Sequence, residues 1–561
     1  MAFRVEKNSD RTMSEKRKRL IKILLILPVL AVLAFLFYIP FFTVLLDALK
    51  NVSEIIGILL DPIEIKVFKF TFIQAGISTL LSIFLGVPCA YLLANYEFPG
   101  RSFLRAILTV PFILPPLSIA AGTLALFGKE GIINVCAEKV FGGLWRSIDL
   151  SFGLTGIVIA HSIYNAPLVM QVVYSVWRRI NPEIEMAAET LGACSTYKFL
   201  RITFPLIFPA IVTSGLLTFL FCFTSFSIIM LLGGAQYRTV EVEIYSNYVL
   251  LRNYGKAASL AFIQAIIVML AFIAYVKGFE AYKFSRGESM SIKRGKSIRG
   301  LRGFFTLLII SLITIVLISP IVAIVVKSLV DPYSGEISIK GYEVLFSRAY
   351  NPYVGAPPLI SIVNSLYFSV LVGLLSLVLS VPTAYLLSRR ETGRIIELLV
   401  ILPMGVSTIT IALGIARSLF KIDFLFYNRW LIIVFAHLVI ALPIAIKTVK
   451  SGYSRFDWSL IEASESLGAS KLHTLFRVEI PLLMPSIVSS FILSMSVSLG
   501  EFGATYFLYE PRYSTLTVTM YRLLSMRRFQ SGYAACSLLV FLSTLLFLIL
   551  SVIEKEFEVI E

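Results

Sequence analysis

Two short hydrophilic segments with the same spacing interrupt an otherwise apolar chain. Residues 186–192 read MAAETLG, and residues 462–468, about 276 positions later, read EASESLG. Their small residues allow another protein surface to approach closely. We call the surrounding segments the first polar loop (181–205) and the second polar loop (457–481). A polar loop repeated between apolar stretches indicates recognition of a partner on one side of a membrane.

Local sequence rules predict a helix–turn–helix in each polar loop. Asn181 before Pro182 is a helix N-cap followed by a first-turn proline. Gly192 stands where the chain needs a left-handed residue to end that helix. In the second polar loop, Asp457 can cap the helix and Gly468 can end it.

Apolar residues give each polar loop a face to bury, among them Leu191, Phe199 and Phe204. An amphipathic helix lying on lipid is the alternative that this face alone permits. Lipid, however, does not require a glycine at a fixed distance from a pair of small residues and from a proline. The spacing therefore favours docking of a protein.

The composition is that of an integral membrane protein. The 561 residues are 57% hydrophobic and 15% charged, and the mean hydropathy is +0.86. Twelve apolar runs are long enough to cross a bilayer as helices. They lie near 21–46, 70–94, 103–128, 152–176, 206–232, 257–276, 304–327, 361–387, 395–420, 430–448, 482–506 and 533–552.

The net charge of +16 is a topology signal and does not indicate nucleic-acid binding. Lys and Arg concentrate at the amino terminus and in every second loop, as expected of cytoplasmic segments. This bias predicts a multi-pass protein of a prokaryotic cell membrane with both termini in the cytoplasm. The five cysteines are scattered, so we expect neither a metal site nor a disulfide framework.

The chain is predicted to consist of two parallel six-span halves. Residues 88–93 (PCAYLL) return as residues 382–387 (PTAYLL), in register with the polar loops. We expect a first half over 1–276, a basic cytoplasmic linker over 277–303 and a second half over 304–561. An even number of spans per half places both polar loops on the cytoplasmic side.

Both polar loops resemble the Glu-Ala-Ala loop of binding-protein-dependent ABC importer permeases of the type I fold. In that family a Glu-Ala-Ala triplet precedes a glycine and an Ile-x-Leu-Pro sequence at fixed distances. The departures are Met186 for Glu, Ser464 for Ala and Phe204 for Leu. The resemblance implies an all-α membrane protein in which each loop seats in a groove of an ATPase subunit. The implied docking residues are Ala187, Ala188, Glu189, Gly192, Ala463, Ser464, Glu465 and Gly468.

Two such halves in one chain are typical of the thiamine and ferric-iron permeases. Several stretches are similar to the thiamine permeases, including residues 98–101 (FPGR) and 500–503 (GEFG). The resemblance implies two ABC ATPase subunits, an external solute-binding protein and one copy of this chain per complex. Selectivity depends on a few pathway side chains and on the binding protein, so thiamine and ferric iron both remain candidate substrates.

No catalytic or nucleotide-binding motif is present in the sequence. The fragment Gly295-Lys296-Ser297 lacks the earlier glycine of a phosphate-binding loop, because Met290 stands there. We therefore expect a chain that is not an enzyme and binds no cofactor itself, with ATP and Mg²⁺ used by the partner ATPase subunits.

Polar residues inside apolar spans are candidates for the substrate pathway because burying them in a membrane is costly. Glu501, near the outer end of span 11, and its counterpart Ser225 are candidates for an outer mouth, where a carboxylate suits a cationic substrate. Solvation of Glu501 at the interface, or pairing with Arg512, is the alternative. Gln74 and Asn165 are further candidates for the pathway, with helix packing as their alternative.

The sequence therefore predicts the permease subunit of an ABC importer. One rival is an ion-coupled secondary transporter, which also uses repeated halves but leaves the polar loops unexplained. Another is a membrane scaffold that binds an ATPase without transporting a substrate.

Overall fold

The fold is described from a computed structural model of the chain. It covers residues 25–142, 148–284, 296–297, 300–332, 334–388, 394–454 and 457–558. The predicted linker 277–303 lies partly outside these residues, at 285–295 and 298–299. Within the described residues the chain is almost entirely helical, which confirms the all-α prediction.

The predicted number of spans is confirmed. Among the described residues, eleven helices are long and apolar enough to cross a membrane, and a bent helix pair brings the number to twelve. The spans are Leu25–Lys50, Pro62–Asn95, Pro116–Phe141, Gly153–Trp177, Ser195–Phe223, Tyr254–Gly278, Phe305–Leu329, Pro358–Ser388, the bent pair Ile395–Gly405 and Thr408–Leu419, Arg429–Ser454, Leu475–Gly500 and Phe529–Ile553.

Short elements connect these spans. The short helices are Val52–Leu60, Arg101–Ile113, Pro182–Thr190, Ser227–Leu232, Val240–Tyr245, Lys340–Leu345, Asp423–Tyr427, Ser459–Ser466, Gly503–Phe507 and Leu516–Ser525. The strands Tyr96–Glu97 and Lys296–Ser297 pair in parallel.

The third and ninth spans were predicted as continuous helices, and this was wrong. The first half has a helix Arg101–Ile113, then a break, then a helix that begins at Pro116. Pro115 and Pro116 cause the break, because proline lacks an N–H group and disfavours helix in the residue before it. In the second half the two helices differ in direction by 100°, and the Ser407 side chain caps the second one.

The fifth and eleventh spans begin and end earlier than predicted. Their helices stop at Phe223 and Gly500, and short helices follow at Ser227–Leu232 and Gly503–Phe507. Hydropathy cannot locate such a break, because the residues on both sides of it are apolar. Ser225 and Glu501 therefore lie in breaks of the helix and not within it.

The chain forms two compact units, each of which draws on both halves of the sequence. The first-half unit contains Asp47–Ser361 and Ser514–Thr544. The second-half unit contains the described residues of 25–46, 362–513 and 545–558. The first span is thus part of the second-half unit, and the seventh span is part of the first-half unit. The boundaries predicted for the sequence halves stay a prediction.

Spans 1 and 7, which join the unit of the opposite half, each pack closely against a glycine. Span 7 packs against span 3, and span 1 packs against span 9. In the first-half unit, a Cβ atom on Gly122 would lie 2.6 Å from the carbonyl oxygen of Pro320 in span 7. In the second-half unit, a Cβ atom on Gly414 would lie 2.8 Å from the carbonyl group of Pro40 in span 1. Small residues at helix crossings are the usual means of close packing in membranes. Spans 1 and 7 are therefore packed in the same way, each against a glycine.

Replacing Gly122 with alanine should destabilise the protein, because the added methyl group meets backbone that cannot move independently. We expect a loss of about 1–3 kcal/mol, the usual cost of overpacking, measured as a lower melting temperature in detergent. Gly76→Ala is the matched control, since a Cβ atom there has no neighbour within 4 Å. Equal melting temperatures for the two variants would contradict the close-packing role of Gly122.

Candidate functional site

The first polar loop begins with the predicted cap. The Glu183 backbone N–H donates to the Asn181 carboxamide oxygen at 3.0 Å, and Pro182 is the first helical residue. The helix Pro182–Thr190 follows. The expected start of this helix is therefore confirmed.

The second polar loop starts in a related way. The Ser459 backbone N–H donates to the Asp457 carboxylate at 3.0 Å, just before the helix Ser459–Ser466. The hydrogen bonds from the Ser459 side chain and backbone hold the pKa of Asp457 below its ordinary value. A carboxylate at this position also interacts favourably with the positive end of the helix dipole.

Both short helices end at a left-handed glycine, as predicted. Gly192 has φ of +86° and Gly468 has φ of +87°. In the first loop, the Gly192 N–H donates to the Glu189 carbonyl at 3.0 Å, and the next N–H donates to the Ala188 carbonyl at 3.0 Å. The second loop has the same pair of bonds at the corresponding residues. This is the Schellman arrangement, in which the left-handed residue satisfies the last helix carbonyls.

The turn leaves a leucine exposed at the tip of each loop. Leu191 and Leu467, which directly precede the two glycines, are each 89% exposed. Leu191 was predicted to belong to an apolar face that the loop can bury, and in the isolated chain this side chain is uncovered. The left-handed turn directs the side chain away from the loop. An apolar side chain held in this way is a candidate contact for a partner.

The predicted docking residues divide between exposed and covered positions. Ala187, Glu189, Gly192, Ala463, Glu465 and Gly468 are exposed, Ser464 is half-buried, and Ala188 is 9% exposed. The covered positions face the rest of the loop: the Ser464 hydroxyl lies 3.0 Å from the Thr474 hydroxyl.

Aromatic rings connect each polar loop to the preceding span. The Trp177 ring, at the end of span 4, lies 5.3 Å from the Tyr91 ring and 6.2 Å from the Phe199 ring. In the second half, Tyr453 stacks on Trp458 at 5.9 Å. Aromatic pairs of this kind are stabilising, so the ring contacts hold each polar loop against the end of the preceding span.

Gln74 and Asn165 converge on one residue of span 5. The Gln74 carboxamide N–H donates to the Cys222 carbonyl at 2.9 Å and to the Thr71 carbonyl at 3.2 Å. The Asn165 carboxamide N–H donates to the His161 carbonyl at 2.9 Å and lies 3.4 Å from the Cys222 sulfur. Both side chains are buried, and these bonds are those of the helix-packing alternative. A pathway role for either residue stays a prediction.

Glu501 has a structural task that the sequence did not indicate. The Ala504 backbone N–H donates to the Glu501 carboxylate at 2.9 Å, which closes the break between the two helices. The side chain of Glu501 is partly exposed, as is that of Ser225 in the corresponding break. Ser225 belongs to the first-half unit and Glu501 to the second-half unit. Their role at an outer mouth stays a prediction.

His437 is a residue that the sequence analysis missed. Its ring nitrogens lie 2.8 Å from the Ser498 hydroxyl and 2.7 Å from the Thr505 hydroxyl, on the two sides of the break at Glu501. His161 occupies the same repeat position 276 residues earlier. The repeat offset of 276 residues, applied to His161, would have identified His437 from the sequence. The first-half histidine instead lies 3.5 Å from Ser78.

The comparisons with known proteins agree with this architecture. The family model of the binding-protein-dependent transport system inner membrane component matches residues 82–282 and again 290–558. The chain therefore belongs to this family of transport permeases. The two matches confirm that it is a fused permease with two halves.

Relatives at about a quarter identity extend along most of the chain. The thiamine transport system permease protein ThiP of Haemophilus influenzae is 24% identical, covering 85% of this chain and 86% of its own length. ThiP of Escherichia coli is 26% identical, covering 87% and 88%. The ferric transport system permease protein FbpB of Actinobacillus pleuropneumoniae is 25% identical, covering 81% and 66%.

One solved structure is similar over half of the chain. It is the crystal structure of a bacterial ABC transporter involved in the import of the acidic polysaccharide alginate, 19% identical, with a TM-score of 0.42. The matched region covers 49% of this chain and 99% of the other.

His437→Ala should destabilise the protein, because it leaves two buried hydroxyl groups without their partner. We expect a loss of about 1–3 kcal/mol, measured as a lower melting temperature in detergent. His473→Ala is the matched control, because His473 is exposed. If both variants have the melting temperature of the unmodified protein, His437 does not stabilise the break in span 11.

Proposed function

We propose that this permease couples import to ATP hydrolysis by docking two ATPase subunits on its two polar loops. The observation that carries the proposal is the matching pair of exposed leucines, each fixed by a left-handed glycine. An apolar side chain held outward at the same position of both repeats is a candidate contact for a partner protein. ATP and Mg²⁺ belong to the ATPase subunits in this account.

The direction of insertion follows from the docking. Both polar loops and both termini lie in the cytoplasm of a prokaryotic cell, where the basic segments are also expected. An external solute-binding protein delivers the substrate to the opposite side. One copy of the chain supplies both halves of the pathway, since it carries both repeats.

The proposed substrate is thiamine. The support is the similarity to two thiamine permeases, each matched over more than four fifths of its length. Ferric iron is the second candidate, because a ferric permease of similar identity is also matched. Both substrates are cationic, which suits the partly exposed carboxylate of Glu501.

Leu191→Asp together with Leu467→Asp should weaken docking, because a carboxylate replaces the apolar contact in each loop. Both side chains are 89% exposed, so the fold should not change. We expect at least about a tenfold loss of affinity for the purified ATPase subunit, since truncating a central interface contact often costs more than 1 kcal/mol.

Leu251→Asp is the matched control, because Leu251 is 68% exposed and lies far along the chain from either polar loop. Unchanged affinity after both loop substitutions would refute docking. Retained ATPase binding without substrate-stimulated hydrolysis in the unmodified protein would favour the scaffold. Uptake without any ATPase subunit would favour the secondary transporter.

Glu501→Gln tests whether its charge attracts the substrate. Glutamine keeps an oxygen that can accept the Ala504 N–H bond, so the break should remain closed. We expect the KM for thiamine uptake into reconstituted vesicles to rise about tenfold, equivalent to one ion pair of about 1.4 kcal/mol. Glu510→Gln is the control, because Glu510 forms its ion pair with Arg429. An unchanged KM would assign Glu501 a purely structural role.

A further inference from the structure

The glutamates of the first polar loop are engaged by their own chain. The Asn181 carboxamide N–H donates to the Glu183 carboxylate at 3.2 Å, and the Thr203 hydroxyl donates to Glu185 at 3.1 Å. Lys198 forms an ion pair with Glu189. Each carboxylate is therefore already partly neutralised or hydrogen-bonded before any partner binds.

The glutamates of the second polar loop are placed differently. Glu462 and Glu465 are exposed, and within the described residues neither carboxylate has a hydrogen bond or an ion pair. The sequence explains the difference, because the position of Lys198 is taken by Thr474. Thr474 bonds to Ser464 instead.

The two loops also differ at the position just before the small residues. Met186 stands in the first loop and is 53% exposed, whereas Glu462 stands in the second. The two loops share backbone geometry and the leucine at the tip. At this position the first loop therefore presents an apolar side chain, and the second presents a carboxylate.

Building on the docking function proposed above, we propose that the two loops recognise the ATPase subunits by different chemistry. The second polar loop binds a basic site of its ATPase subunit through Glu462 and Glu465. The first polar loop binds through Met186 and Leu191. A carboxylate that already has a partner gains less from a new cation, because the existing bond must be given up first.

The charge of the second polar loop indicates which kind of partner binds it. Two adjacent carboxylates are repelled by the anionic surface of a bacterial membrane, so lipid does not cover this surface. A protein surface that carries Lys or Arg is the complementary partner. Such contacts are weakened by salt, whereas the apolar contacts of the first loop are not.

The test measures the affinity of the purified ATPase subunit for the full-length permease in phosphatidylcholine nanodiscs, at low and at high salt. One variant neutralises the second loop, with Glu462→Gln and Glu465→Gln. Its matched counterpart neutralises the first loop, with Glu183→Gln and Glu189→Gln. At low salt we expect about a fivefold loss for the second-loop variant and less than about twofold for the first-loop variant. At high salt the second-loop variant should equal the unmodified protein.

Met186→Glu provides the opposite change. It gives the first loop the carboxylate that the second loop carries, so affinity should rise at low salt and become more salt-dependent. Equal losses for the two neutralised loops would overturn the difference between them, and so would a second-loop loss that persists at high salt.

The leucine variants separate this proposal from the docking function. If Leu191→Asp with Leu467→Asp prevents association while the second-loop neutralisation has no effect, docking stands and the charge proposal is wrong. If neither set of variants lowers the affinity, the docking function itself fails.

Discussion

The left-handed backbone at Gly192 and Gly468 is the constraint on which both polar loops depend. A residue with a side chain would pay a conformational penalty of about 1–2 kcal/mol there. The glycine ends the short helix, satisfies its last carbonyls and directs the preceding leucine outward. The same turn brings the following helix back toward the span, where the stacked rings of Trp177 and Phe199 receive it. A surface for a partner and a rigid connection to the membrane thus arise from one backbone conformation.

The two halves have the same helix breaks and turns, but different side-chain hydrogen bonds stabilise them. The fifth and eleventh spans both break near their ends, but the break in the eleventh span is stabilised by His437 and by the carboxylate of Glu501. In the first half, Gln74 and Asn165 bond to Cys222 just before the break. The polar loops show the same pattern, with common turns and unlike glutamates. Fusion of two halves in one chain allows each to specialise, because the two copies need not be identical.

Much of this fold was predictable because the bilayer imposes it. Spans must be long and apolar, so hydropathy predicted their number, and the rules of helix capping placed the turns of the polar loops. The breaks in the fifth and eleventh spans were missed, because the residues around Ser225 and Glu501 remain apolar through the interruption. The break in the third span was missed although Pro115 and Pro116 mark it in the sequence. The exposure of Leu191 was also missed, since its direction depends on the left-handed residue that follows. Side-chain bonds such as that of His437 need the repeat offset and the packing of spans together.

The most direct measurement uses a cysteine that the chain already carries. Cys194 lies in the first polar loop, two residues beyond Gly192, and both Cys194 and Cys136 are exposed. Labelling of the two thiols with a bulky maleimide would be followed in the full-length permease with and without its ATPase subunits. The docking account predicts that bound ATPase protects Cys194 and leaves Cys136, far from either loop in sequence, labelled as before. Equal labelling of Cys194 in both samples, with the ATPase shown to be bound, would contradict it.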